Sequence, residues 1–149
     1  MTEIRFYHLQ KQSLDQALPM ILEKAYGADY RSLVIMQNAK EAERMSSLLW
    51  AYKANSFLPH ASKKDGQAEH QPIWLSDNDE NTNNANALIL TQGQTSETIA
   101  TYDLVCEMLN GHSDQEISDA RSRWKTYQDA GHQVTYWFQN ENGSWAQKA

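Results

Sequence analysis

The chain carries one cysteine, Cys106. That excludes an internal disulfide and fits a reducing, cytoplasmic setting. It has no apolar run of about 18 residues, the length a membrane-spanning helix needs. The opening Met1-Thr2-Glu3-Ile4-Arg5 lacks the basic-then-apolar layout of a secretory signal. Cations are in the minority: 13 Lys and Arg against 19 Asp and Glu leave a net charge of −6. This balance argues against a broad duplex-DNA-binding face, because such affinity comes mostly from phosphate neutralisation. It leaves room for a local basic pocket.

Signatures of catalysis are also missing. The first strand-to-helix turn, Gln10-Lys11-Gln12-Ser13, contains no glycine, and neither a dinucleotide fingerprint nor a phosphate loop occurs anywhere. The nearest segment, Thr91-Gln92-Gly93-Gln94-Thr95-Ser96, has one glycine and reads as a turn. His8, His60, His70, His112 and His132 are scattered, with no pair at the i, i+4 spacing of a metal site. They read as surface or capping residues, and Cys106 as a small core residue. No Gly-x-Ser-x-Gly elbow is present. The carboxylates fall mostly in loops and on exposed helix faces, where they are normally solvated. The expectation is therefore no catalytic residue, no metal and no cofactor.

What remains is the material of one domain, residues 1–149, with 40% hydrophobic residues to build a core. Ile4 to Leu9 reads as a strand. Ser13 can cap a helix from about Leu14 to Tyr26, with Pro19 marking a kink or a later start and Gly27 a stop. Ser32 to Met36 is a nearly all-apolar strand covered on both faces. Asn38 can cap a helix to about Tyr52, with Ala42, Met45, Leu48 and Leu49 turned inward. Residues 53–71 read as loop, with 61–71 and 77–86 as variable, solvated stretches. Pro72 to Leu75 and Ala87 to Leu90 are strands. Tyr102 to Leu109 is ambiguous by period alone, and its alternation with Asp103, Val105 and Glu107 favours a strand. Ser113 or Asp114 caps a long helix ending at Gly131, and Val134 to Gln139 is the last strand. Alternating strands and helices predict an α/β fold, a Rossmann-like three-layer sandwich with a mainly parallel sheet and helices on both faces.

One segment stands apart in this acidic chain: Arg121-Ser122-Arg123-Trp124-Lys125-Thr126-Tyr127. Ile117, Ala120, Trp124 and Tyr127 share one helical stripe, which should face the sheet. Arg121, Lys125 and Gln128 form the neighbouring stripe, with Trp124 between the two. The plain alternative is an amphipathic helix with a solvated cationic edge. Against it, no acid lies within Arg121 to Lys125. An arginine fork suits a carboxylate, and an aromatic wall suits an apolar side chain. Together they make a sensible site for a peptide C-terminus. A second cluster, Trp50 with Phe57-Leu58-Pro59-His60, is either a loop folded onto the core or an exposed aromatic interface.

These pieces together resemble the chi subunit family of bacterial DNA polymerase III. The resemblance rests on Phe6-Tyr7-His8-Leu9, Trp50 with Ser56-Phe57-Leu58-Pro59-His60, Ala120-Arg121-x-Arg123-Trp124-Lys125-x-Tyr127 with Gly131, Tyr136-Trp137 and Gly143-Ser144-Trp145. It implies a non-catalytic clamp-loader subunit that pairs with the psi subunit and grips the acidic C-terminal tail of single-stranded DNA-binding protein. By that resemblance Arg121 meets the tail's terminal carboxylate, Trp124 walls its phenylalanine, and Lys125 and Gln128 attract its acids. Trp50, Phe57, Pro59 and His60 would face psi, and DNA would be contacted only indirectly. Ile117 and Gln128 stand where some relatives carry a basic residue. The alternative is an enzyme or nucleotide-binding protein using the carboxyl edge of the sheet. Direct single-strand binding by the aromatics is a third option, and the net charge counts against it.

Overall fold

Residue alternation in the opening segment becomes the inner strand of the sheet. In the computed structural model, which describes residues 2–52, 59–142 and 144–149, β1 (Glu3–Leu9) is hydrogen-bonded on both sides. The chain continues through α1 (Leu14–Gly27), β2 (Ser32–Ile35), α2 (Ala39–Ala51), β3 (Ala61–Ser62), β4 (Ile73–Ser76), β5 (Ala87–Leu90) and β6 (Leu104–Asn110). It ends with α3 (Asp114–Asp129), β7 (Gln133–Gln139) and β8 (Trp145–Gln147). Among the described residues the eight strands form one sheet in the order β3-β4-β2-β5-β6-β1-β7-β8. Every neighbouring pair is parallel except β7–β8.

Local signals fix the helix starts. Gln16 accepts the Ser13 backbone N–H at 3.0 Å, Asn38 accepts from Glu41 N at 2.8 Å, and Ser113 accepts from Glu116 N at 3.2 Å. Each bond satisfies an amide left without a partner at or next to a helix N-terminus. Of the two candidate caps for α3, Ser113 serves. α1 begins at Leu14 and runs through Pro19, so the later start is not taken. The left-handed residue after α1 is Asp29 (φ 67°), while Gly27 is still helical. Gly131 (φ 87°) follows α3 as expected.

The strands separate two cores. Tyr7, Leu9, Val34, Met36, Ile89 and Cys106 pack with α1 and α2 residues. Ile4, Phe6, Leu33, Ile35, Leu88 and Val105 pack on the other face, with Ala120 and Tyr127 of α3. β2 and β5 are buried along their whole length, which is why their sequences are continuously apolar.

Four expectations need correcting. The two-residue β3 lies within the segment read as loop, and β8 was not expected; both are too short to carry a periodic signal. The 77–86 loop is not merely solvated. Asn83 is fully buried and donates to the carbonyls of Ser32 (2.9 Å) and Gln71 (3.1 Å), tying the loop to β2. β6 does not alternate between core and solvent, because Leu104 through Leu109 are all buried. Among the described residues, no helix is long and apolar enough to cross a membrane.

Candidate functional site

The pairing of β1 with β7 assembles an aromatic layer under α3. Its register sets Phe6 beside Tyr136 and His8 beside Phe138. Phe6 and Tyr136 stack at 5.9 Å between ring centres, and Trp124 of α3 closes on both, at 5.7 Å from Phe6 and 5.8 Å, edge-on, from Tyr136. His8 lies on Phe138 at 4.4 Å, and its Nδ1 shares a 2.9 Å hydrogen bond with the Tyr136 hydroxyl. Aromatic contacts of this kind each add about 0.5–1.5 kcal/mol beyond burial, which stabilises the layer as a packed floor.

Above this floor, at the carboxyl ends of β1, β6 and β7, opens a cavity of about 640 Å³. His8, Gly111, Ile117, Arg121, Trp124, Tyr136, Phe138 and Lys148 are among its lining residues. The expected stripe Ile117, Ala120, Trp124 and Tyr127 does face the sheet, with Ala120 and Tyr127 buried and the other two partly so. Arg121 is exposed at the rim and makes no hydrogen bond or ion pair among the described residues. Burial, with His112 and Arg121 nearby, lowers the His8 pKa, so the ring is neutral at physiological pH. The result is an apolar, aromatic hole beside an uncommitted guanidinium.

The candidate tail residues are divided by this geometry. Arg121 and Trp124 line the cavity; Lys125 and Gln128 are exposed further along α3 and do not. Arg123, counted with them as a cation of the segment, points elsewhere. Its guanidinium grips Glu107 of β6 through three contacts of 2.7–3.0 Å, and Tyr127 donates to the same carboxylate at 2.7 Å. Burial is the largest influence and works against the Arg123 charge, but the hydrogen bonds to Glu107 and the negative charge of Glu107 and its neighbours together outweigh it and raise the pKa. Burial and the adjacent carboxylate push the Tyr127 hydroxyl well above its ordinary range. The absence of an acid in the local sequence therefore left Arg121 unpaired but not Arg123, whose acid comes from 16 residues away. Glu107 also departs from the expectation of solvated carboxylates, being 2% exposed.

His8 and His60 are buried rather than surface histidines. His60 lies beneath Trp50, with ring centres 4.4 Å apart, and its Nε2 is 2.9 Å from the Ser46 carbonyl oxygen. Trp50 is 58% exposed and Pro59 partly buried, while Phe57 lies outside the described residues. The sequence reading missed His8, Phe138 and Lys148 as cavity residues. The one signal for the first two is their period-two spacing with Phe6 and Tyr136; nothing local marks Lys148.

A second hollow of about 580 Å³ lies at the carboxyl edge, lined in part by Lys11, Ser13, Arg44, Gln92 and His112. Arg44 there is held by Asp15 (2.7 Å) and Glu41 (3.1 Å), and the turn leading into it has no glycine to bring backbone amides against a phosphate.

A curated relative from Rickettsia prowazekii (strain Madrid E), described as a probable DNA polymerase III subunit chi, is 31% identical over 90 residues. That match covers 60% of this chain and 54% of the relative, so it spans about half the relative's length. A family model described as DNA polymerase III chi subunit, HolC, matches residues 1–135, which takes in β1, the Trp50 region and all of α3. The chain therefore belongs to the chi subunit family of DNA polymerase III.

Proposed function

We propose that this chain is a non-catalytic adaptor of the replicase, with a Rossmann-like layering that serves as a scaffold. It joins the clamp loader, through the psi subunit, to the acidic C-terminal tail of single-stranded DNA-binding protein in the cytoplasm. The observation that carries the reading is the aromatic-floored cavity with Arg121 unpaired at its rim. A tail ending in phenylalanine would place its ring over Trp124, Tyr136 and Phe138 and its carboxylate against the Arg121 fork. Lys125 and Gln128, outside the cavity, would meet the tail's more distant residues. The exposed Trp50, packed on the His60 ring, would belong to the psi-facing surface together with Pro59 and Phe57, the last outside the described residues.

Many tails displayed on one coated strand turn a weak grip into a high effective concentration of polymerase at the fork. The test is fluorescence anisotropy of a labelled acidic peptide ending in Asp-Ile-Pro-Phe, at low and high salt. Binding should weaken with salt, vanish when the terminal carboxylate is amidated, and fall at least about tenfold in Arg121→Ala, in keeping with the loss of a bidentate charge-assisted contact. Equal affinity for the free-acid and amidated peptides would refute the assignment.

A further inference from the structure

The cavity has a second cation that does not come from α3. Beyond β8 the chain stays paired to β7: the Lys148 N–H donates to the Tyr136 carbonyl at 2.8 Å, and the Tyr136 N–H donates to the Ala149 carbonyl at 3.1 Å. Two consequences follow. Lys148 is tied by its backbone to a residue of the cavity floor, and this exposed lysine lines the cavity. Both backbone groups of Tyr136 are also consumed, so a ligand cannot add there as an extra strand and must be held by side chains.

Like Arg121, Lys148 has no ion-pair partner among the described residues. Two uncommitted cations, one on α3 and one just beyond β8, thus line the same aromatic cavity. At the corresponding helical positions, Ile117 lines the cavity as an apolar residue, while Lys125 and Gln128 fall outside it.

We infer that Lys148 is a ligand-binding residue of this cavity, selecting peptides with a carboxylate side chain close to their C-terminal aromatic residue. The inference rests on the reading of the cavity as a peptide-tail site. Arg121 takes the terminal carboxylate and Lys148 takes an acidic side chain just before it. The β7–β8 hairpin thereby supplies a charge that α3 lacks. Arg suits the bidentate terminal group, whereas the point charge of Lys on a flexible stem suits a side chain of variable position.

The experiment uses two labelled peptides with the same free C-terminal phenylalanine, one with Asp residues before it and one with Asn in their place. Each is titrated with the full chain and with Lys148→Gln, Lys148→Glu and Arg121→Ala, with a melting curve for each variant. Lys148→Gln should weaken the acidic peptide about two- to fivefold, the range of a partly exposed ion pair, and reduce its salt dependence. Lys148→Glu should weaken it further. Neither change should alter the Asn peptide, while Arg121→Ala should weaken both. If both Lys148 variants hold the acidic peptide as tightly as the unaltered chain while Arg121→Ala has lost it, the inference is overturned and the tail reading survives. If the unaltered chain binds neither peptide, the tail reading fails and takes the inference with it.

Discussion

Two arginines a single residue apart do opposite work. Arg121 is exposed and uncommitted, whereas Arg123 is clamped on a carboxylate that is 2% exposed. Taking away the Arg123 guanidinium would leave Glu107 buried with only the Tyr127 hydroxyl as side-chain partner among the described residues. Breaking a buried pair from one side costs about 3–5 kcal/mol. Arg123→Ala is therefore expected to lower the melting temperature strongly, while Arg121→Ala should stay within about 0.5 kcal/mol of the unaltered chain, as surface changes do. Chemical denaturation of the two variants side by side decides the matter. An Arg123→Ala loss as small as the one expected for Arg121→Ala would mean that the Glu107 clamp contributes little to the fold. The sequence shows both as cations on one helix, and only the contact with β6 separates a structural arginine from a binding one.

At the scale of elements, the cavity depends on how the turn from β6 into α3 approaches β1. The Gly111 N–H donates to the Leu9 carbonyl at 2.6 Å. A Cβ at this position would collide with the His8 ring and lie 2.5 Å from that same carbonyl oxygen. Neither neighbour can retreat easily, since Leu9 is bound into the sheet and His8 is held by Tyr136 and Phe138. Gly111→Ala should cost about 1–3 kcal/mol, as overpacking does. It should also weaken peptide binding, because displacing His8 disturbs the cavity wall. Calorimetric melting paired with the anisotropy titration reads both effects, and an unchanged Tm would show that the turn relaxes freely. The other element that builds the site, β8 with its Lys148 extension, matters through its antiparallel pairing to β7, which carries Lys148 back to a strand already fixed against β1.

For the whole molecule, the inner strands set a single cooperative limit. Cys106 of β6 is paired with Arg5 on one side and Ile89 on the other, and burial pushes its thiol up to about 12. The thiolate is the reactive form, so a native thiol here should be inert. We expect no labelling by a maleimide at neutral pH in the folded chain and complete labelling in guanidinium. At intermediate denaturant the labelled fraction should follow global unfolding, since the centre of a sheet opens only with the whole. Fast labelling of the native chain would instead reveal a local opening of β6. Charge also acts at this scale: with a net charge of −6, an acidic tail is repelled in general and attracted locally near Arg121 and Lys148, which makes the site's salt dependence a property of location rather than of composition.

The sequence by itself determined what depends on near neighbours. The helix starts at Ser13, at Asn38 and at Ser113 or Asp114 were legible because capping is a contact over three residues, and the structure selects Ser113 for the last. The inward stripe of α3 was legible because helical period is local, and the all-apolar runs of β2 and β5 announced burial on both faces. Arg121 and Trp124 could be named as one site because they share a turn of helix. The tertiary structure alone decided the rest. Strand order and register join segments more than a hundred residues apart, and no local pattern encodes which strand lies beside which. That pairing puts His8 against Phe138, Glu107 beneath Arg123, and Lys148 at the cavity wall. A cation's role depends on which charge it meets, and in this chain the deciding acid and the second cation both arrive from distant strands.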